Sequence, residues 1–394
     1  MFFQDVKQGP PDPMYHLKVA ADQDTNINKV DLGVGVYRNE KGQYHELGVL
    51  KAYEITTGSP EFLQKASQVI FGKDSEFLNN GQIASVQTIS GTGAIHIGAL
   101  FLRNSVPNLN KSIYVGTPTW GNYVPMFNLL GLEVQTYNYY DKETGEVEFA
   151  SLLAAVRTAP KGSTFVLQAC CNNPTASELT EQQWRTLAEE MTSRGHLPFF
   201  DIAYQGLGRG LDEDAYGVRH FASLGSEMIV AQSFAKNLGL YGERVGALHV
   251  VASTKEAAAA VKDQLRCMIR WEFSSSPAYG SRLVDLILSD PESQAKWHVE
   301  LREIRERLER NRQKLFHQLA NVHKHEQTPG NWHIIKRGQG LFSLLPLTPT
   351  QCEALKRDYH IYVAPNGRMN ISGLRESNIN YVAQSIDTVV RSSS

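Results

Sequence analysis

Short apolar runs alternate with helix-like stretches along most of the chain, and this rhythm constrains the fold more than any other feature. Runs of strand length and character cover residues 112–115, 165–169, 198–204, 228–231 and 247–251, with helical periodicity between them. Strands that alternate with helices predict a mostly parallel sheet that helices cover on both faces. The predicted fold class is therefore α/β, with a large domain built on this sheet and a smaller α+β domain.

The chain is long enough for two domains, since it has 394 residues. We expect a polar, proline-rich N-terminal arm over residues 1–28 and a small-domain segment with a connection over residues 29–58. The large domain is expected over residues 59–300, followed by a bridging helix and a small C-terminal domain over residues 301–394. An amphipathic pattern over residues 297–320 predicts the bridging helix.

Composition excludes several classes of protein. The net charge of −2 without a basic stripe argues against nucleic acid as a partner. No apolar run reaches membrane-spanning length, and the N-terminus lacks a signal or transit pattern, so we expect a cytoplasmic protein. Cys170, Cys171, Cys267 and Cys352 have neither metal-site spacing nor a disulfide pattern, so we expect free thiols and no metal site.

Polar side chains stand just past the carboxyl ends of several predicted strands. In open α/β sheets this edge forms the ligand crevice. The residues at such positions are Trp120, Asn173, Asp201, Tyr204, Ser233 and Lys236. Their coincidence indicates one ligand site at this edge of the sheet.

Lys236 stands among the apolar residues Phe234, Ala235 and Leu238. Lysine is seldom buried unless it is paired or functional, and burial disfavours its charged form. Such an amine can act as a nucleophile and form a Schiff base. Taken alone, the stretch fits a surface lysine at the rim of the sheet equally well.

A Ser-Gly-Thr-Gly segment at residues 90–93 precedes an apolar helix and predicts an anion site at the helix start. It has neither the Gly-Lys-Ser/Thr of a nucleotide P-loop nor the third glycine of a dinucleotide fingerprint. Ser233 and Arg244 lie where they could hold a phosphate near Lys236.

Asp201 follows two phenylalanines, and a carboxylate in an apolar setting needs a cationic partner. A protonated pyridine nitrogen would be such a partner, and Tyr204 and Asn173 could donate to a phenolate oxygen on the same ring. Trp120 could stack on the ring face, although a core aromatic is an equal alternative. Together these groups predict a pocket for pyridoxal 5'-phosphate.

The motifs jointly resemble those of aspartate aminotransferases, which are pyridoxal phosphate enzymes of the class I aminotransferase family. They are Ser-Phe-Ala-Lys-Asn at 233–237, Gly-Glu-Arg-Val-Gly at 242–246, Ser-Gly-Thr-Gly at 90–93, Thr-Pro-Thr-Trp at 117–120, Asn-Asn-Pro-Thr at 172–175, Asp-Ile-Ala-Tyr-Gln-Gly at 201–206 and Gly-Arg-Met-Asn-Ile-Ser-Gly-Leu at 367–374. The resemblance covers nearly the whole chain, with the motifs in order.

The resemblance implies roles for these residues. Lys236 would form the Schiff base with the cofactor and move the substrate proton, Asp201 would pair with the ring nitrogen, and Tyr204 and Asn173 would bind the ring hydroxyl. The residues that would hold the phosphate are Ser90, Gly91, Thr92, Ser233 and Arg244, with Tyr53 from a second subunit. A homodimer with shared active sites follows from that last assignment.

The resemblance also implies the substrate. Arg368 would clamp the α-carboxylate, and Arg270 would reach across the dimer to the distal carboxylate, because a guanidinium meets a carboxylate in two parallel hydrogen bonds. Gly35 and Trp120 would complete the substrate site with Asn173. The expected reaction is ping-pong transfer of an amino group between L-aspartate and 2-oxoglutarate. An aromatic aminotransferase of the same family and a non-catalytic relative are the alternatives.

The chain departs from the family pattern in several places, among them Glu54-Ile55 after Tyr53, where relatives often have an apolar residue and proline. Relatives usually carry a helix of more than a dozen residues just before the tyrosine matched to Tyr53, and this chain lacks it. Ala176 replaces the usual glycine of Asn-Pro-Thr-Gly, so a positive φ there would be strained. The segment Ser-Ser-Ser-Pro at 274–277 stands where Ser-Asn-Pro-Pro is usual.

Overall fold

The computed structural model describes residues 1–8, 23, 25, 55–107, 109–322 and 327–392. The strands are β1 (Ile83–Ile89), β2 (Ser112–Thr117), β3 (Glu133–Asn138), β4 (Thr164–Gln168), β5 (Leu197–Ile202), β6 (Met228–Ser233), β7 (Val245–Val251), β8 (Phe342–Leu344) and β9 (Arg368–Asn370). The helices are α1 (Pro60–Phe71), α2 (Glu76–Asn79), α3 (Ser90–Ser105), α4 (Tyr123–Leu129), α5 (Phe149–Thr158), α6 (Glu181–Arg194), α7 (Tyr216–Ser223), α8 (Lys255–Glu272), α9 (Ala278–Ser289), α10 (Pro291–His317), α11 (His333–Arg337), α12 (Pro349–Tyr359) and α13 (Ile379–Ser392).

Seven strands form one sheet in the order β1-β7-β6-β5-β4-β2-β3. Pairings from β6 through β5, β4 and β2 to β3 are all parallel, whereas β7 runs antiparallel to both β1 and β6. The mostly parallel sheet predicted from the sequence is therefore confirmed. Every residue of β5, β6 and β7 is buried, as expected for strands covered on both faces.

The helices that cover the sheet carry local start and stop signals. Thr180 and Gln183 form a capping box at the start of α6, and Gly195 ends that helix with a φ of 67°. Ser59 caps α1, with Pro60 in the first turn where a missing N–H costs nothing. Two hydrophobic cores result, one on each face of the sheet. The first residues join one of them, since Phe3 is buried against Phe101.

A third core lies in the C-terminal part of the chain, where β8 and β9 form an antiparallel pair packed with α12 and α13. Helix α10 leads from the large sheet to this core and begins at Pro291, six residues before the predicted start at 297. Its buried Arg312 donates hydrogen bonds to the carbonyls of Ile335, Gly340 and Phe342. These bonds attach the segment before β8 to the helix.

Some predictions concern residues outside the part that the structure describes. Most of the arm, Gly35 and Tyr53 belong to this group. Within the described part, the strand β3 was not predicted. No helix in that part combines the length and apolar character of a membrane span.

Candidate active site

The polar residues predicted to share one edge of the sheet do come together at the carboxyl ends of β4, β5 and β6. Asp201 is the penultimate residue of β5 and pairs in register with Gln168 of β4 and Ala231 of β6. Because these three strands are parallel, the residues that follow them meet at one edge. The sheet register therefore fixes where the Asp201 carboxylate stands.

Asp201 is 8% exposed, and its two carboxylate oxygens have different surroundings. Oδ2 accepts a hydrogen bond of 2.5 Å from the Tyr123 hydroxyl. Oδ1 is buried and has no hydrogen-bond partner among the described residues. Burial raises the pKa of Asp201 to about 6, against the lowering influence of the Tyr123 hydrogen bond and the Lys236 charge. A buried carboxylate with one oxygen unsatisfied calls for a cationic N–H partner.

Lys236 lies just past β6, and its Nζ stands 4.9 Å from the centre of the Tyr204 ring. Burial lowers the pKa of Lys236, and the charge of Arg244 lowers it further, while the Asp201 carboxylate opposes both. The neutral amine is therefore more accessible than in water, as a nucleophile or general base requires. Burial, followed by the Asp201 charge, raises the pKa of Tyr204, so its hydroxyl stays protonated.

Arg368 links the small sheet to the large one at this site. Its guanidinium donates a 2.9 Å hydrogen bond to Oδ1 of Asn173 and lies 4.5 Å from the centre of the Phe342 ring. The Phe342 ring in turn meets Tyr204 edge-on, with centroids 6.0 Å apart. Asn173 is itself fixed, because its backbone N–H donates to the side chain of Gln168. The guanidinium is thus half-buried and held in one orientation.

The loop that carries Asn173 is strained at the position expected from the sequence. Ala176 has a φ of 61°, in the left-handed region that favours glycine. Its carbonyl accepts a 2.9 Å hydrogen bond from the N–H of Gln339, in the segment that leads to β8. The contact holds the loop in place despite the cost, which is about 1–2 kcal/mol for a residue with a Cβ.

The predicted anion site lies at the start of α3, beside the end of β6. The hydroxyls of Ser90 and Ser233 are 3.0 Å apart, and both residues are buried. A side-chain carbon at position 91 would lie 3.1 Å from Cβ of Ser233, so Gly91 lets the two segments approach. The backbone of Arg244 lies beside Ser90, since its carbonyl accepts the N–H of Ser90, while its guanidinium donates to the carbonyl of Tyr241. Two hydroxyls and a helix N-terminus together suit a phosphate.

The other predicted residues occupy different surroundings. Trp120 is partly buried and meets Tyr123 edge-on at 5.2 Å, and Thr92 lies in the first turn of α3. Arg270 is exposed near the end of α8, where it donates to the Ser274 hydroxyl. It therefore faces outward rather than into the cluster around Lys236. Gly35 and Tyr53 lie outside the described residues.

Two residues of the site were missed by sequence reasoning, Tyr123 and Phe342. Tyr123 is the first residue of α4, three positions after Trp120, and its spacing resembles that of an ordinary core aromatic. Phe342 begins the short strand β8, far along the chain from the other site residues except Arg368. Neither pattern carries information about which distant polar group the ring will meet. Only the tertiary structure supplies that information.

The cysteines behave as expected, since all four are free and buried. The ligand atoms of Cys170, Cys171 and Asp214 do lie within 4.8 Å of one another. However, the Asp214 carboxylate already accepts backbone N–H groups from Gly206, Gly208 and Arg209. The hydrogen bond to Cys171 and burial raise the pKa of the Cys170 thiol well above its usual range. The cluster therefore favours thiols over metal-binding thiolates.

The arrangement fits the group implied by the sequence resemblance. The unsatisfied Oδ1 of Asp201 suits a protonated ring nitrogen, and Lys236 beside Tyr204 suits an aldehyde carbon and a ring oxygen. The Ser90–Ser233 pair lies at the same sheet edge and suits a phosphate. Pyridoxal 5'-phosphate combines these three features.

The chain is similar to known proteins along nearly its whole length. The model of the family "Aminotransferase class I and II" matches residues 27–386. Aminotransferase tasG from Hapsidospora irregularis is 50% identical over 392 residues, which span 100% of this chain and 97% of that protein. The aspartate aminotransferase from Saccharomyces cerevisiae cytoplasm is 37% identical, with a TM-score of 0.84 over 100% of this chain and 99% of the other. An aromatic-amino-acid aminotransferase from Burkholderia pseudomallei, covalently bound to pyridoxal phosphate, is 35% identical, with a TM-score of 0.82 over 99% and 100% of the two chains.

Proposed function

The chain belongs to the aminotransferase class I and II family, and we propose that it moves an amino group between L-aspartate and 2-oxoglutarate, giving oxaloacetate and L-glutamate. It is a transaminase, and its cofactor is pyridoxal 5'-phosphate. The proposed mechanism is ping-pong, so that the first product leaves before the second substrate binds. The observation that carries the proposal is the Arg368 guanidinium, fixed on Asn173 beside Lys236 and Tyr204.

When bound, pyridoxal phosphate supplies an electron sink for the carbanion at the substrate α-carbon. In the proposal, Asp201 holds the protonated ring nitrogen with the oxygen that has no other partner among the described residues. The hydroxyl of Tyr204 and the amide of Asn173 donate to the ring oxygen. Lys236 would hold the aldehyde carbon of the cofactor, and its amine, when free, would take and return the proton at the substrate α-carbon. Its lowered pKa favours this exchange.

The phosphate is assigned to the start of α3 and the end of β6. Ser90, Ser233 and Arg244 would bind its oxygens, together with the N–H groups of Gly91 and Thr92. Trp120 would stack on the ring of the cofactor. Its side chain contacts Tyr123, whose hydroxyl donates to Asp201, so it lies close to the carboxylate that would bind the ring nitrogen. Tyr53 would reach the phosphate of the partner subunit.

The substrate has two carboxylates in this proposal. Arg368 binds the α-carboxylate, because its guanidinium is already oriented by Asn173 and Phe342. Arg270 binds the distal carboxylate in the partner's site, and its outward position at the end of α8 supports this assignment. Gly35 would complete the substrate site. A broader preference that includes aromatic amino acids is the second candidate, because the Burkholderia protein of similar structure is an aromatic-amino-acid aminotransferase.

A homodimer is part of the proposal, and three exposed aromatic side chains support it. Tyr241, Trp271 and Tyr279 are 56%, 67% and 64% exposed. Gly280 packs closely against Glu243, so the segments that carry Tyr241 and Tyr279 are neighbours, and Trp271 is adjacent to Arg270. Aromatic side chains are enriched at protein interfaces. We also propose a cytoplasmic location, as the name of the yeast relative gives for that protein.

The substrate assignment is tested with Arg270→Leu. Loss of a bidentate guanidinium–carboxylate contact should lower kcat/KM for aspartate by about 100-fold to 1000-fold, which corresponds to about 3–4 kcal/mol. Activity with phenylalanine should fall far less, because that substrate has no distal carboxylate. Initial rates with 2-oxoglutarate as the acceptor measure both.

Arg357→Leu is the matched control, since Arg357 is exposed and paired with Asp358 away from the site. It should leave both rates unchanged. Equal loss of aspartate and phenylalanine activity in Arg270→Leu would contradict the distal-carboxylate assignment. A wild-type preference for phenylalanine over aspartate would favour the second candidate.

A further inference from the structure

Tyr123 is buried beside the cofactor site, and its contact with Asp201 is not explained by packing alone. We propose that Tyr123 is a positioning residue for the cofactor, whose hydroxyl holds Oδ2 of Asp201 so that Oδ1 remains directed at the ring nitrogen. The inference rests on the proposed function, since it assumes that Asp201 pairs with the ring. It assigns to this chain a second residue that controls how the ring nitrogen is held.

The hydrogen bond has the geometry of a strong, charge-assisted contact. The Tyr123 hydroxyl donates to Oδ2 at 2.5 Å, and Tyr123 and Asp201 are 1% and 8% exposed. A carboxylate bound at one oxygen can no longer rotate freely, so its other oxygen acquires a fixed direction. Among the described residues, Oδ1 has no hydrogen-bond partner. Oδ1 of Asp201 is therefore the oxygen that can accept a hydrogen bond from a bound cofactor.

The Tyr123 ring is itself held in place. It stacks on Phe127 one turn later in α4, with centroids 5.9 Å apart and an interplanar angle of 6°. Trp120 meets the same ring edge-on, and the Tyr123 N–H donates to the Trp120 carbonyl. One helix start therefore positions both the proposed ring-stacking residue and the residue that holds Asp201.

The charge state of the pair also matters. Burial and the Asp201 charge raise the pKa of Tyr123 well above its usual range, so the hydroxyl stays protonated and can only donate here. The pKa of Asp201 is about 6, and the Tyr123 hydrogen bond lowers it. Removal of the hydroxyl should therefore raise the Asp201 pKa further and leave more of the carboxyl protonated at neutral pH. A protonated carboxyl cannot pair with a pyridinium N–H.

The test compares Tyr123→Phe with Tyr137→Phe in the full chain freed of cofactor. Tyr137 lines the same small cavity as Tyr123, whereas the hydrogen bond to Asp201 comes from the Tyr123 hydroxyl. Affinities for pyridoxal phosphate and for 1-deazapyridoxal phosphate, which has carbon in place of the ring nitrogen, are measured by equilibrium dialysis between pH 5 and pH 9. The deaza analogue removes only the group that Asp201 would hold.

For Tyr123→Phe we expect affinity for pyridoxal phosphate to fall about 10-fold to 100-fold at pH 7.5, the range for a hydrogen bond to a charged group. The lowest pH at which pyridoxal phosphate still binds tightly should rise, because without the Tyr123 hydroxyl the pKa of Asp201 is higher and its carboxylate forms only at higher pH. Affinity for the deaza analogue should match that of the wild type. Tyr137→Phe should match the wild type for both compounds.

Equal weakening of both compounds in Tyr123→Phe would overturn the inference, because the effect would then be structural. An unchanged pH profile would also overturn it. Asp201→Asn provides a second check. In a chain that carries Asp201→Asn, adding Tyr123→Phe should not change the ratio of the affinities for pyridoxal phosphate and the deaza analogue. A change in that ratio would contradict the inference. A wild-type chain that binds both compounds equally would instead contradict the Asp201 assignment in the proposed function.

Discussion

At the scale of the residue, the buried carboxyl of Asp201 destabilises the folded chain when no cofactor is bound. A carboxyl whose pKa is raised from 3.8 to about 6 by burial is disfavoured in its ionised form within the folded protein. The resulting loss of folding stability begins as the pH rises above 3.8, the ordinary pKa of the carboxyl, and is complete once the pH exceeds the folded-state pKa of about 6. At neutral pH the folded chain without cofactor therefore carries a carboxylate that only a cationic partner stabilises well.

We expect Asp201→Asn to stabilise the cofactor-free protein. A shift of about two pH units corresponds to about 3 kcal/mol, so the free energy of unfolding should rise by about 2–3 kcal/mol at pH 7.5 and change little at pH 4. Urea denaturation at both pH values measures the difference. Asp358→Asn, an exposed control paired with Arg357, should have no effect at either pH. An Asp201→Asn protein no more stable than wild type at pH 7.5 would contradict the cost assigned to this carboxylate.

At the scale of the element, the strands that carry the site were predictable from the sequence, whereas the outermost strand β3 was not. The central strands β4, β5 and β6 are covered on both faces, so their sequences are apolar runs that can be recognised as buried strands. Among the described residues, strand β3 pairs with β2 alone, and most of its side chains are exposed, so it lacks that signal. The residues just past the central strands were predictable for the same reason, whereas Tyr123 and Phe342 depend on contacts between distant elements.

The attachment of α10 to the segment before β8 gives a prediction at this scale. Arg312 is 1% exposed and donates to three carbonyls, at 3.1 Å for Ile335, 2.9 Å for Gly340 and 2.5 Å for Phe342. Arg312→Met would leave these carbonyls unpaired, so we expect a loss of about 3 kcal/mol in the free energy of unfolding by urea denaturation.

Arg310→Met provides the control for Arg312, because Arg310 lies on the same helix but is exposed and forms only a 3.7 Å pair with Glu306. Surface pairs of this kind contribute about 0–1 kcal/mol. Similar stability of the Arg312→Met and wild-type proteins would show that the three hydrogen bonds only offset the desolvation of the guanidinium.

At the scale of the whole molecule, the central question is whether two subunits complete each site. Arg270 and Tyr53 were assigned to the partner's site from the resemblance alone, and a single chain cannot reveal contacts of that kind. Arg270 faces outward next to the exposed ring of Trp271, and this placement supports the assignment.

A hybrid dimer tests the shared site. The Lys236→Ala and Arg270→Leu homodimers should each have little or no activity with aspartate. The hybrid is obtained by co-expressing the two chains with different tags and purifying through both tags. In the hybrid, one site has Lys236 from one chain and Arg270 from the other, so about half of the wild-type activity per dimer should return, as two-fold symmetry requires. A hybrid no more active than its parents would show that Arg270 serves the site of its own chain.

The identity of the amine that binds the cofactor is tested most directly by chemical trapping. Reduction of the protein loaded with pyridoxal phosphate by borohydride, followed by proteolysis and mass spectrometry, locates the labelled residue, with Lys236→Ala as the control. We predict the label on the peptide that contains Lys236 and its loss in the control. A label on another lysine, or no label on the wild-type chain, would contradict the account of the site.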